Sequence, residues 1–176
     1  AKNLVRHMLE NFVSLNEPPS SDTLIDLLAR AHVVLCRRHP ADCASYIIAL
    51  QDSSRSVTTL HAGDCRLGRI SPRDSIQWLT KPHTLANAIH DIADHDLRVH
   101  PNRHLLTRSF KGRRFQAPEH NVFGLQSSEE RLIIASDGFW AELTDDEQLK
   151  VLRGNPIDRK ATDDSSCLQW SCGTGT

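Results

Sequence analysis

An apolar run that ends in a single carboxylate constrains this chain more than any other feature. Leu132, Ile133 and Ile134 follow one another without a polar break, the pattern of a strand covered on both faces. Ala135 and Ser136 are small enough to bring the backbone to the rim of a sheet, and Gly138 supplies the turn after Asp137. Two further acidic positions have a similar setting. Asp64 sits between apolar residues in the stretch from Leu60 to Gly68, and Asp163 precedes the last apolar run, which starts at Cys167. Three acidic strand ends point to a centre for a hard cation.

The rest of the chain supplies the scaffold for those ends. Leu4, Val5, Met8, Leu9, Phe12 and Val13 recur with helical spacing, and Pro18-Pro19-Ser20-Ser21 ends that segment. A second helix follows, capped by Ser20 or Ser21, with Leu24, Leu27, Leu28, Ala31 and Leu35 on one face. Arg37 and Arg38 lie at its C-terminal end, before Pro40. Residues 44–50 and 57–62 read as a hairpin around Gln51 to Ser56, which places Asp64 just past its second strand. Thr144 and Glu147 form a capping box for a short helix through Leu149 and Leu152 that Gly154 and Pro156 terminate. A final strand runs from Cys167 to about Cys172. Two helices before meandering strands indicate a single α+β domain over residues 1–176.

Composition narrows the partners. The 176 residues are 39% hydrophobic and 24% charged, ordinary globular usage. A formal charge of -1 gives no reason to expect nucleic acid or a membrane surface as partner, and no apolar run approaches the roughly 20 residues of a membrane span. Five cysteines without a Cys-x-x-Cys pair read as reduced thiols of a cytoplasmic protein.

Gly63-Asp64-Cys65-Arg66, then Ser136-Asp137-Gly138-Phe139-Trp140, then Asp163-Asp164-Ser165-Ser166 together resemble, in order, the signature elements of the metal-dependent serine/threonine protein phosphatases of type 2C, the PPM family. Leu79-Thr80-Lys81-Pro82-His83-Thr84 resembles the family's Leu-Thr-x-Asp-His-Ser segment with Pro82 in place of the Asp. Leu106-Thr107-Arg108-Ser109-Phe110 resembles its Leu-Thr-Arg-Ser-Leu. The resemblance covers almost the whole chain. It implies a layered α-β-β-α sandwich of two antiparallel sheets with flanking helices, and hydrolysis of phosphoserine and phosphothreonine in proteins. By the same resemblance Asp137 and Asp163 hold a pair of Mn²⁺ or Mg²⁺ ions and Asp64 helps hold a weaker third. Phosphorylated protein is then the substrate, with a cognate Ser/Thr kinase as counterpart. All-oxygen ligands suit those ions, and a metal pair supplies the charge neutralisation and activated water that phosphate-ester hydrolysis needs.

Three departures qualify the match. The family's Asp-Gly-x-Gly-Gly turn has no counterpart, since the chain has one Asp-Gly pair, Asp137-Gly138, and no Gly-Gly. The general acid and the phosphate-binding Arg belong to the same early segment, so the sequence reads as a domain lacking its first strands, with the neighbouring strand edges exposed. Where the family carries a further Asp after the Trp stands Ala141, which counts against the third ion.

Plainer readings stand beside these. Asp137 is also a common turn residue, Asp164 competes with Asp163 as ligand, and Asp64 can anchor its hairpin or pair with Arg66. His90, Asp94, His95, His100 and His104 crowd one polar segment that reads as a solvated loop rather than a zinc site. Arg108, Lys111, Arg113 and Arg114 read as a charged surface loop, and Phe139 and Trp140 as core beneath the metal turn. A catalytically silent phosphatase-like binding module, and a site completed by a second chain, are the alternatives to an enzyme.

Overall fold

The computed structural model describes residues 2–15, 17–72, 75–112, 114–127, 130–157 and 164–172. Helices α1 (Lys2–Val13) and α2 (Ser21–Arg38) come first. Ser20 is the N-cap of α2, its hydroxyl accepting from the Thr23 amide at 3.2 Å, so one orphan donor of the first turn is satisfied. Leu24, Leu28 and Ala31 are buried along one face, as the spacing requires.

Nine strands follow among the described residues, every pairing antiparallel: β1 (Cys43–Ala44), β2 (Tyr46–Gln51), β3 (Ser56–Ala62), β4 (Arg66–Ile70), β5 (Ile76–Trp78), β6 (Phe110–Lys111), β7 (Glu119–Gly124), β8 (Arg131–Ala135) and β9 (Cys167–Ser171). They form a three-stranded sheet in the order β2-β3-β7, a four-stranded sheet in the order β5-β4-β8-β9, and a two-stranded ribbon of β1 and β6. The hairpin and the β8 and β9 strands agree with the sequence reading. Strands β4, β5 and β7 and the ribbon were not anticipated, because their short runs carry too little alternation to declare a strand.

The layers follow from which side chains meet. Leu24, Leu27 and Leu60 pack α2 on the outer face of the three-stranded sheet. Val57, Leu67, Leu132 and Cys172 fill the space between the sheets. Ile133, Ala135, Phe139, Trp140, Leu143 and Leu152 lie on the far side of the four-stranded sheet, beneath α4 (Asp137–Trp140) and α5 (Asp145–Leu152). The apolar run of β8 thus feeds two cores, Leu132 and Ile134 one way, Ile133 and Ala135 the other. This is the four-layered α-β-β-α order expected. Gly68 is needed where β4 lies between β5 and β8, because a Cβ there would stand 2.7 Å from Ile76 Cγ2 of β5 and 3.2 Å from Ile133 Cγ2 of β8.

Two edges are open. Among the described residues β2 pairs with β3 alone and β9 with β8 alone. Beside β2 lies an apolar groove of about 530 Å³ lined by Met8, Phe12, Ile48, Leu50 and Leu168. Among the described residues, no helix is long and apolar enough to cross a membrane.

Candidate metal centre

Asp137 stands where β8 ends, as the first residue of α4, with its side chain mostly buried. Ser136 binds the neighbouring segment. Its amide donates to the Ser166 carbonyl at 3.0 Å, its hydroxyl donates to the Asp164 carbonyl at 3.2 Å, and it accepts from the Ser166 amide at 3.0 Å. Gly138 makes that approach possible, since a Cβ there would lie 2.5 Å from the Asp164 carbonyl oxygen. Ser136 and Gly138 therefore draw residues 164–166 against the turn that carries Asp137. Asp163 lies outside the described residues.

Asp64 follows Gly63, which takes a φ of +104°, a backbone state costly for any residue with a Cβ. A Cβ on Gly63 would also sit 2.1 Å from Ser45 Oγ. The Asp64 amide donates to that hydroxyl at 3.3 Å, and the Asp64 carbonyl accepts from the Trp140 indole at 2.8 Å. Trp140 comes from α4, so this bond ties the Asp64 turn to the Asp137 turn. Cys65 reports both acids: burial first, then Asp64 and Asp137, push its thiol up to about 12. The structure thus brings Asp64 and Asp137 into one electrostatic neighbourhood.

Arg66 does not pair with Asp64. Its guanidinium is buried, forms an ion pair with Asp94 at 2.7 Å and lies 5.0 Å and 5.1 Å from the centroids of Trp78 and Trp140. It is a structural cation between two aromatic faces. Asp94 opens α3 (Asp94–Val99), so the polar segment read as a loop is partly helical. A sequence of charged residues hides this helix because Leu97 is its one buried apolar residue.

Two basic side chains approach Asp137. Arg103 Nη1 lies 3.8 Å and His104 Nδ1 3.9 Å from its carboxylate, and Arg103 also pairs with Glu142. Glu142 is joined to Asp137 through one guanidinium. Its side chain follows Trp140 and Ala141 back toward the 100–106 segment, which the sequence alone does not place. Carboxylates that attract cations, beside a second carboxylate turn, fit a divalent ion with oxygen ligands. Of the basic run, Arg108 is half-buried rather than a free surface charge, and Arg113 lies outside the described residues.

A second titratable group was missed. His61, His83 and Glu119 each offer a ligand atom within 4.8 Å of the others. Alternation of Val57, Thr59 and His61 along β3 placed His61 on the inward face, but its opposition to Glu119 is set by the β3–β7 register.

No protein-family model and no curated protein matches this chain. Solved structures do. A bacterial serine phosphatase superimposes with a TM-score of 0.79 at 17% identity over 99% of this chain and 80% of that one. The fold is that of the PPM-type Ser/Thr phosphatases. The PPM phosphatase MsPP from Mycobacterium smegmatis, solved with cacodylate, gives 0.63 at 23% identity, covering 86% of this chain and 72% of that one. The catalytic domain of the serine/threonine phosphatase PstP, solved with two manganese ions, gives 0.63 at 18% identity, covering 85% and 65%. In this PPM fold Asp137 and Asp64 stand at the ends of β8 and β3.

Proposed function

We propose that this chain carries a metal-dependent phosphatase centre that hydrolyses phosphoserine and phosphothreonine in proteins, with Asp137, Asp163 and Asp64 as its metal-ligating positions. The observation that supports this most is the Trp140–Asp64 bond, which holds two acidic turns from different strands together. The structural neighbours, all protein phosphatases, support the same class. Mn²⁺ or Mg²⁺ is the ion that carboxylate ligands favour, and when bound it supplies charge neutralisation and an acidified water. Within the chain, Ser136 fixes the 164–166 backbone and Trp140 fixes the Asp64 turn. Arg103 supplies positive charge beside Asp137, and the His104 ring lies 3.9 Å from the same carboxylate. The proposed substrate is a phosphorylated protein, with a Ser/Thr kinase as the opposing enzyme. The five free thiols support a cytoplasmic setting.

The silent-module reading is favoured by one observation, the Arg103 guanidinium that joins Asp137 to Glu142. Calorimetric titration of Mn²⁺ into this chain, with p-nitrophenyl phosphate hydrolysis followed in the same samples, separates the two. Binding with turnover supports the enzyme. Binding without turnover supports the silent module, and neither would remove the metal centre from this chain.

A further inference from the structure

On the other side of Gly63 from the acidic centre lies a cluster of different chemistry. The β3–β7 register sets His61 directly opposite Glu119, close enough for the side chains to interact. His83 arrives from the segment after β5 and is held by its backbone on both sides. Its amide donates to the Gly63 carbonyl at 2.8 Å, and its carbonyl accepts from the Thr107 amide at 2.9 Å. The His83 ring stacks on the His61 ring with centroids 4.6 Å apart and an interplanar angle of 21°. His83 Nε2 lies 2.9 Å from the Glu119 carboxylate, and His83 Nδ1 accepts from the Gly63 amide at 3.3 Å.

We propose that His61, His83 and Glu119 form a second divalent-cation site, specific for a borderline ion of the zinc class and distinct from the carboxylate centre at Asp64 and Asp137. The decisive atom is His61 Nδ1. His61 has no solvent exposure, its Nε2 meets the Lys81 carbonyl at 3.2 Å, and Nδ1 has no hydrogen-bond partner. With the proton on Nε2, the buried Nδ1 keeps a bare lone pair, a costly state that an electrophile relieves. A proton is a poor candidate. Burial first, then the facing His83, depress the basicity of His61, with Arg108 acting the same way, against the Lys81 carbonyl and Glu119.

The donor set fits the ion. Two imidazoles and one carboxylate are the ligands of catalytic-type zinc sites, with the fourth position left to water. Imidazole nitrogen also distinguishes this site from the all-oxygen centre, which favours Mg²⁺ or Mn²⁺. Zinc bonds of about 2.1 Å place ligand atoms about 3.3 Å apart in a tetrahedron. The ligand atoms here lie within 4.8 Å of one another, so binding draws in the longest separation. Lone pairs of two stacked rings lie in near-parallel planes and do not meet at one point, so binding turns the His83 ring off its stack on the buried His61, and Glu119, whose side chain is 42% exposed, follows it. An ion taking His83 Nε2 displaces its proton to Nδ1, which can then no longer accept from the Gly63 amide. Occupancy therefore acts on the turn that presents Asp64. Nothing in this inference depends on phosphatase activity.

The test is Zn²⁺ calorimetry on the whole chain in an Asp64→Asn, Asp137→Asn, Asp163→Asn background, which removes the proposed carboxylate ligands, paired with NMR of the histidine ring nitrogens. Saturable binding of one ion is expected, with ring-nitrogen shifts at both His61 and His83. Glu119→Gln and His83→Ala should each weaken it about 100-fold or more, beyond the 10- to 100-fold that loss of an outer-shell partner costs. Glu119→Gln changes a part-exposed side chain to its isostere and decides the matter if His83→Ala fails to fold, as circular dichroism would show. Absence of Zn²⁺ binding, binding unchanged by Glu119→Gln, or an unshifted His61 ring overturns the proposal.

Discussion

The two ends of the Gly63 turn differ in what they display and in what they conceal. On one side Asp64 and Asp137 are carboxylates at strand ends, with Arg103 3.8 Å and His104 3.9 Å from Asp137. On the other, His61 and His83 are stacked rings, one of them wholly buried, closed by Glu119. The first side offers oxygen to hard ions and the second nitrogen to borderline ones. A single glycine with a left-handed backbone joins them: its carbonyl and amide both bind His83, and the next residue is Asp64. The donor chemistry thus changes from oxygen to nitrogen across one turn, because neighbouring residues face different environments.

The largest separation between the two sides should come from Asp137→Ala. In a preparation that hydrolyses p-nitrophenyl phosphate, this change should lower kcat about 1000-fold or more, because several kcal/mol of transition-state charge stabilisation depend on the ion it holds. Zn²⁺ binding at the histidines should be unaffected. Full turnover by Asp137→Ala would sink the assignment of the acidic centre.

Gly63→Ala should damage both sides together. Strain at φ +104° and the 2.1 Å approach of a Cβ to Ser45 Oγ should destabilise the fold by about 3 kcal/mol. Urea unfolding followed by tryptophan fluorescence reads this directly. An unchanged midpoint would mean that the turn relaxes freely and does not tie the two sides to each other.

That contrast also explains what was legible in the sequence. The acidic side is written in contiguous residues: an apolar run, small residues, Asp137 and Gly138 can be read without knowing where the strand packs. The reasons for Ser136 and Gly138 are not contiguous, because their partners are the backbone of residues 164–166. The histidine side was illegible. His61 alternates correctly with Val57 and Thr59, but 58 residues separate it from Glu119 along the chain, by the β3–β7 pairing of positions 61 and 119, and only strand register brings them together. Arg66 shows the same limit. Its nearest acid in sequence is Asp64, yet its ion pair is with Asp94, a partner set by tertiary packing.

A smaller effect should come from Arg103→Ala. The guanidinium lies 3.8 Å from Asp137 and repels any divalent ion that approaches the same carboxylate. Its removal should tighten Mn²⁺ binding about threefold to tenfold, the scale of one partly screened charge at this distance. Zn²⁺ affinity at the histidine cluster should stay the same. Weaker Mn²⁺ binding in the variant would mean that Arg103 orients Asp137 and Glu142 rather than competing for them.

The smallest effect concerns Cys65, which reads the acidic side alone. Burial is the larger cause of its raised pKa, with Asp64 and then Asp137 adding to it, and the thiol titrates near about 12. Thiolate is the reactive form and accumulates only as pH rises toward that value. In metal-free protein at pH 8, Cys65 should therefore resist iodoacetamide while the exposed Cys43 is modified. Asp64→Asn removes one negative charge but leaves the burial in place, so the Cys65 rate should rise only about threefold. His83→Ala, on the other side of the turn, should leave it unchanged. If Asp64→Asn instead brought Cys65 to the rate of Cys43, charge rather than burial would govern the thiol, and the acidic side would be more open to solvent than its packing against Trp140 implies.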